Sequence, residues 1–135
     1  MLRRFMKEKQ KLPYTIQENE TYTHMEVMPY LTITLLDTYP FSPPKLYINK
    51  VDYINYLLKK YSYLKPFIDK YKINIHCICC NSVTCSWSPC NGVKDIVNEC
   101  VSYLKMMRMI HDCKRIFESL PFDDLVYCKI VNYLL

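Results

Sequence analysis

Tyr30-Leu31-Thr32-Ile33-Thr34-Leu35-Leu36, followed by Asp37-Thr38-Tyr39-Pro40-Phe41-Ser42-Pro43-Pro44-Lys45-Leu46, is the stretch on which the fold of this 135-residue chain turns. Strict alternation over residues 31–35 predicts a strand with one buried face, because successive side chains on a strand point to opposite sides. Upstream, Tyr14, Ile16, Tyr22, Met25 and Val27 supply β-branched, aromatic and apolar residues in short runs. They predict two more antiparallel strands, so that the three run over about 13–18, 22–28 and 30–36, with Asn19 and Glu20 in the first turn. Pro40, Pro43 and Pro44 forbid regular structure and predict an extended, polyproline-like surface passage. Residues 45–49 then resume as a short fourth strand.

Helical signals flank this meander. Residues 2–10 are good helix formers stopped by Pro13. The Tyr/Leu/Lys-rich stretch 51–72 places Ile54, Leu57, Leu58 and Tyr61 near helical spacing and predicts an inserted helix packed on the core, interrupted at Pro66; a partner surface is the alternative. Residues 73–90 are irregular and cysteine-rich. Val93, Ile96, Val97, Cys100, Val101 and Leu104 make an apolar stripe that predicts a helix over 92–110, running on towards 118. Ser119 reads as the cap of a last, atypical helix at about 120–135, with Pro121 at its start, Asp123 and Asp124 in its first turn, and Leu125, Ile130, Val131 and Leu134 on its apolar face. The expectation is one α+β domain over 1–135: N-terminal helix, four-stranded antiparallel meander, then C-terminal helices. Leu31, Ile33 and Leu35 should face the helix at 93–104 across a core.

Half of the residues are apolar, which argues against global disorder. No run approaches the 18 apolar residues of a membrane span, and Met1-Leu2-Arg3-Arg4 does not open a signal peptide. The expected location is intracellular, cytoplasmic or nuclear, with no membrane partner. The net charge of +5 is spread among acids, where a nucleic-acid footprint would be clustered. Aromatics and charges are not interleaved in one segment, a second reason not to expect nucleic acid. The chain has no Ala, one Gly, and 14 Lys against 4 Arg. This is the balance of residues that AT-rich codons supply, which points to an AT-rich genome such as that of a large DNA virus (and then a host-cell location) or a protist. Eight cysteines without a secretory signal read as reduced thiols, metal ligands or a nucleophile.

The order helix, meander, Pro-rich passage, cysteine segment, long helix resembles the ubiquitin-conjugating enzymes. Tyr30-Leu31-Thr32-Ile33 with Tyr39-Pro40-Phe41-Ser42-Pro43-Pro44-Lys45 looks like that family's third strand and its Y-P-F-x-P-P-K signature. Ile78-Cys79 and Trp87-Ser88-Pro89 resemble its I-C…W-S-P segment, in which the nucleophilic cysteine lies eight residues before the tryptophan. Cys79 stands eight residues before Trp87. Leu2-Arg3-Arg4-Phe5-Met6-Lys7-Glu8 resembles the family's first helix. The resemblance implies a UBC-like fold, a thioester relay on Cys79, and no cofactor. It implies as partners ubiquitin or a ubiquitin-like protein, an activating enzyme and a ligase, of RING type among others. The ligase would meet Phe41, Pro89, Cys90 and the first helix at Arg4. Asp124, in Asp123-Asp124-Leu125-Val126, resembles the family's acid that orients the incoming lysine. An active Cys79 should be accessible, with most of the other cysteines more buried.

The chain also departs from the family. The H-P-N motif, whose Asn donates to the oxyanion, has no counterpart in residues 67–72; Asn74 and Asn81 are the substitutes within reach, neither at the family's spacing. The P-x-x-x-Y-x-G-G turn is missing. Losing one oxyanion donor typically slows a reaction by about 10²–10³, so a catalytically inactive, protein-binding relative stands beside the active enzyme. A third reading takes Cys77, Cys80, Cys85 and Cys90 as a zinc knuckle, with His76 as a spare ligand. Against it, residues 77–90 lack the glycines that knuckle turns use. Leu120-Pro121-Phe122-Asp123-Asp124-Leu125 resembles the opening of an F-box, one helix of a three-helix module. His24 and His111 show no companions in the sequence.

Overall fold

Leu31, Ile33 and Leu35 are fully buried, while Thr32, Thr34 and Leu36 between them are only half-buried. The period-two reading therefore holds residue by residue. The computed structural model describes residues 6–8, 10–11, 15–18, 22–75, 78–120, 126, 129–130 and 132–133, and of Thr15, Glu18, Tyr22 and Cys79 the backbone alone. Five strands follow in chain order, β1 (Thr15–Glu18), β2 (Tyr22–Met28), β3 (Leu31–Leu36), β4 (Lys45–Ile48) and β5 (Val51–Asp52). They form one antiparallel meander, each strand beside the next. Met25 lies opposite Ile33, and Ile33 opposite Leu46, so one apolar row crosses the sheet.

The fifth strand corrects the expectation of four. Asn49 and Lys50 both take left-handed backbone angles, φ 49° and 64°. Two such residues make the tight turn that suits a twisted hairpin. They fold Val51 back against Ile48, where the sequence pattern had assigned residue 51 to the helix. Lysine carries a Cβ into this conformation at a cost that glycine escapes. Lys50→Gly should therefore raise stability by about 0.5 kcal/mol, seen as a higher urea midpoint. A lower midpoint would mean that the turn is held by something other than its backbone.

The Pro-rich passage is also corrected. It is turned rather than extended: the Tyr39 amide donates to the Leu36 carbonyl at 3.0 Å, and the Phe41 amide to Thr38 at 2.8 Å. The peptide between Tyr39 and Pro40 is cis. Prolines remove donors only at their own positions, so the amides between them remain free to close turns. Tyr39 and Pro44 are buried, not on the surface.

Helix α1 (Tyr53–Lys70) is capped by Asp52, whose carboxylate accepts from the amides of Ile54 and Asn55. It runs through Pro66 without the expected interruption. Pro66 and Ser62, whose carbonyl loses its donor, are both exposed, and buried Leu64, Phe67 and Ile68 hold the helix on either side. Lys72, at φ 51°, ends it by letting the Ile73 amide reach the Ile68 carbonyl at 3.0 Å.

The cysteine segment contains a short helix α2 (Ile78–Asn81), and α3 (Val93–Ser119) follows. α3 reaches the full predicted length. Val101, assigned to its apolar stripe, is exposed, and Leu104 is only partly buried. The Ser119 hydroxyl donates back to the Ile116 carbonyl at 2.8 Å, at the end of α3. Beyond it residues 126, 129–130 and 132–133 are helical, and Ile130 packs on the core. The other residues of the expected last helix, with the F-box-like opening at 121–125, lie outside the described residues.

The core fills the space between the inner sheet face and the helices. Met25, Leu31, Ile33, Leu46 and Ile48 belong to one cluster with Leu57 and Leu64 of α1 and Val93, Ile96, Cys100 and Ile110 of α3. The end of α1 is fastened to α3 by aromatic contacts, with Phe67 and Tyr71 at 5.6 and 5.5 Å from Phe117. The chain is thus α+β, an antiparallel five-stranded sheet with helices C-terminal to it. Among the described residues no helix is long and apolar enough to cross a membrane.

Candidate active site

Two loops that the sequence separates by 47 residues meet here. The Trp87 indole nitrogen donates to the Pro40 carbonyl at 2.8 Å, and the Trp87 and Tyr39 rings lie 6.1 Å apart. Tyr39 is 1% exposed, and its hydroxyl donates to the Glu8 carboxylate at 2.8–2.9 Å. One oxygen of Glu8 also accepts from the Val93 amide at 3.4 Å, the first residue of α3. A carboxylate there suits the positive end of the helix dipole. Gly92 has no side chain to cap α3 itself. Asp95 compensates by accepting from the Gly92 amide at 2.7 Å. The N-terminal segment, the Pro-rich turn and the start of α3 are therefore joined through one carboxylate.

The cysteine segment is held from the other side. Ile78 and Ser82, on either side of Cys79, Cys80 and Asn81, are both buried, Ser82 completely. Glu99 of α3 accepts from the Val83 amide at 2.8 Å, the Ser82 hydroxyl at 3.0 Å and the Tyr53 hydroxyl at 2.9 Å. Burial, and then the Glu99 carboxylate beside it, push the Tyr53 phenol far up, so that it stays a donor. Ser82 in turn organises the next turn: its carbonyl accepts from Cys85 and Ser86, and its hydroxyl from the Thr84 amide.

Of the residues singled out in the sequence, Phe41, Pro89 and Cys90 are exposed, Phe41 to 79%. They border the two loops that Trp87 joins. Beyond Trp87 the chain is set by the Ser88 amide donating to Asn91 at 3.1 Å and the Cys90 amide to the Ser88 hydroxyl at 3.1 Å. Cys79 stands in α2, and its side chain lies outside the described residues. Asn74 and Asn81 are both exposed, Asn81 ending α2 two residues after Cys79. Arg4, Asp124, His76 and Cys77 lie outside the described residues.

Cys80, Cys85 and Cys90 are exposed, and only Cys100 and Cys113 among the other described cysteines are buried. The exposed three sit in turns or at the end of α2, where no apolar periodicity turns a thiol inward. The same three do not come together. Among the described residues no group of three or more His, Cys, Asp or Glu could hold a metal. His24 and His111 do have companions, the Thr34 hydroxyl at 3.3 Å and the Tyr63 ring at 6.4 Å. These lie across strands and between helices, out of reach of local pattern reading. Glu8, Tyr53, Ser82 and Glu99 were missed for the same reason: Glu8 meets Tyr39 across 31 residues, and Glu99 meets Ser82 across 17 and Tyr53 across 46.

The chain matches no protein-family model, no curated protein and no solved structure.

The buried acids give the fold an alkaline limit. Burial, and then Glu99, push the Cys100 thiol up to about 12; burial and Asp112 raise Cys113 as well. These thiols and the Tyr53 phenol ionise sooner in the unfolded chain than in the folded one. Their contribution is fully present below the unfolded thiol value, about 9, and is lost as pH climbs from there towards 12. At pH 10.5 Cys100 alone should cost about 1–2 kcal/mol relative to pH 8. Urea unfolding at the two pH values measures this, and Cys100→Ala should flatten the dependence. An unchanged midpoint in the wild type between pH 8 and pH 10.5 would contradict it.

Proposed function

We propose that this chain has the ubiquitin-conjugating-enzyme fold and carries ubiquitin or a ubiquitin-like modifier as a thioester on Cys79. The observation that carries the reading is the joining of Tyr39-Pro40 to Trp87, at 6.1 Å between rings and 2.8 Å from indole nitrogen to Pro40 carbonyl. Both partners of that contact are the motifs on which the family resemblance rests. The antiparallel meander, the cysteine segment and α3 follow in the order the resemblance requires.

In the proposed relay the Cys79 sulfur attacks the thioester carbonyl that links the modifier to the activating enzyme. A new S–C bond forms, the old one breaks, and the departing thiol takes up the proton that Cys79 lost. A lysine amine of the target then attacks the new thioester. The C–N bond forms, the Cys79 sulfur leaves, and it recovers a proton. Phe41, Pro89 and Cys90 present the surface for a ligase. The test is incubation with activating enzyme, ATP and ubiquitin, read on a non-reducing gel. A band heavier by one modifier, removed by thiol reductant, is expected. No adduct with any activating enzyme would end this reading.

A second reading, an inactive interaction scaffold, is favoured by one specific observation. The stretch that would hold the H-P-N motif is the end of α1, with Phe67, Ile68 and Tyr71 buried. That stretch carries no Asn to donate to an oxyanion.

A further inference from the structure

We propose that Glu99 is a positioning residue whose single carboxylate clamps the loop behind Cys79 and fixes where the reacting thiol sits. The inference rests on the reading of Cys79 as the acceptor of the modifier and adds a residue that the family resemblance does not supply.

The argument begins with geometry. Cys79 lies in a helix of only four residues, too short to be stable on its own. Its position must come from what holds its two ends. Ile78 is buried in the core on one side. On the other, Ser82 is fully buried and donates to Glu99 at 3.0 Å, while the Val83 amide donates to the second Glu99 oxygen at 2.8 Å. Tyr53, at the start of α1, donates to the Ser82-facing oxygen at 2.9 Å. Glu99 thus ties three segments, α1, the cysteine loop and α3, and α3 is anchored one turn away on either side by Ile96 in the core and by Tyr103, partly buried against it. A carboxylate with three donors is well satisfied, and removing it leaves the Tyr53 hydroxyl and the Val83 amide without this acceptor in a partly buried site and turns the Ser82 hydroxyl to its remaining neighbour, the Thr84 hydroxyl at 2.7 Å. The loop then gains access to conformations in which Cys79 is displaced, and a displacement of about 1 Å is enough to slow a reaction by about 100-fold.

Two measurements on the full chain test this. The first follows amide hydrogen exchange by NMR. Glu99→Ala should speed exchange at Val83 and at Cys85 and Ser86 by about tenfold, while Ile33 and Ile110 keep their protection. Glu99→Gln, which retains an acceptor for the Val83 amide and can donate to the two hydroxyls, should restore most of the protection. Ser82→Ala, a milder change, should fall between them if Glu99→Ala proves too unstable to study. The second measures single-turnover transfer from the charged activating enzyme to Cys79. Glu99→Ala should lower the maximal rate about tenfold or more, with the half-saturating concentration unchanged and Glu99→Gln close to wild type. Equal exchange at Val83 in wild type and all three variants overturns the clamp, whatever the transfer assay gives. Slower transfer in Glu99→Ala that arises only from weaker binding overturns the positioning role. If the wild type forms no adduct, the conjugation reading falls and the exchange measurement alone decides the clamp.

Discussion

Cys79→Ser should turn a thiol-labile adduct into a thiol-resistant one, and Cys79→Ala should abolish it. A serine oxygen forms an ester, which reductant does not cleave, but it is a much poorer nucleophile at neutral pH, so the ester should accumulate slowly. No Lys or Arg lies between Lys72 and Lys94 to favour a thiolate, and charging of the wild type is expected to be slow for the same reason. The control matters because Cys80, Cys85 and Cys90 are exposed thiols within a few residues. Cys80→Ser, Cys85→Ser and Cys90→Ser, singly and together, should leave the adduct in place. An adduct that survives Cys79→Ala and disappears in Cys80→Ser would move the nucleophile by one residue and break the eight-residue spacing to Trp87.

The largest structural effect is expected at Tyr39. Tyr39→Ala should cost about 3–5 kcal/mol, a large part of the roughly 5–15 kcal/mol that holds a domain together. The ring is almost fully buried and meets Trp87, so truncation opens a cavity at the junction of the two motif loops. It also removes the donor that holds Glu8 against the start of α3. Tyr39→Phe separates the two contributions. It keeps the ring and loses only the hydroxyl, and should cost about 1.5–3 kcal/mol, the range for a hydrogen bond to a charged group. Urea denaturation of both variants gives the numbers. If Phe and Ala are equally destabilising, the ring contributes nothing; if Tyr39→Phe is neutral, the Tyr39 hydroxyl does not hold Glu8 in place.

What could be read in advance follows the range of the interactions. Alternation in residues 31–35 gave β3 its inward face, and the stripe Val93, Ile96, Val97, Cys100 placed α3, because both are set by neighbours within one or two turns or strand repeats. The pairing of Tyr39-Pro40 with Trp87 was legible only as two motifs in the right order; that they touch is a fact of the fold. Local rules failed where they were over-applied. Three prolines did not extend the chain, since the amides of Tyr39 and Phe41 remained to close turns. Pro66 did not break α1, since buried residues on both sides held the helix.

By itself, then, the sequence determined β1 to β4 and the two long helices, the inner face of the sheet and the spacing of Cys79 to Trp87. Tertiary structure alone decided which side chains serve those elements at a distance. Glu8 reaches Tyr39 across 31 residues and Val93 across 85, and Glu99 reaches back 46 residues to Tyr53. A carboxylate has no local signature for such a role. Its partners are chosen by which buried donors are left without an acceptor once the core has formed. Burial likewise separated the cysteines into exposed Cys80, Cys85 and Cys90 and enclosed Cys100 and Cys113, a division made by which face of α3 enters the core and not by the thiols themselves.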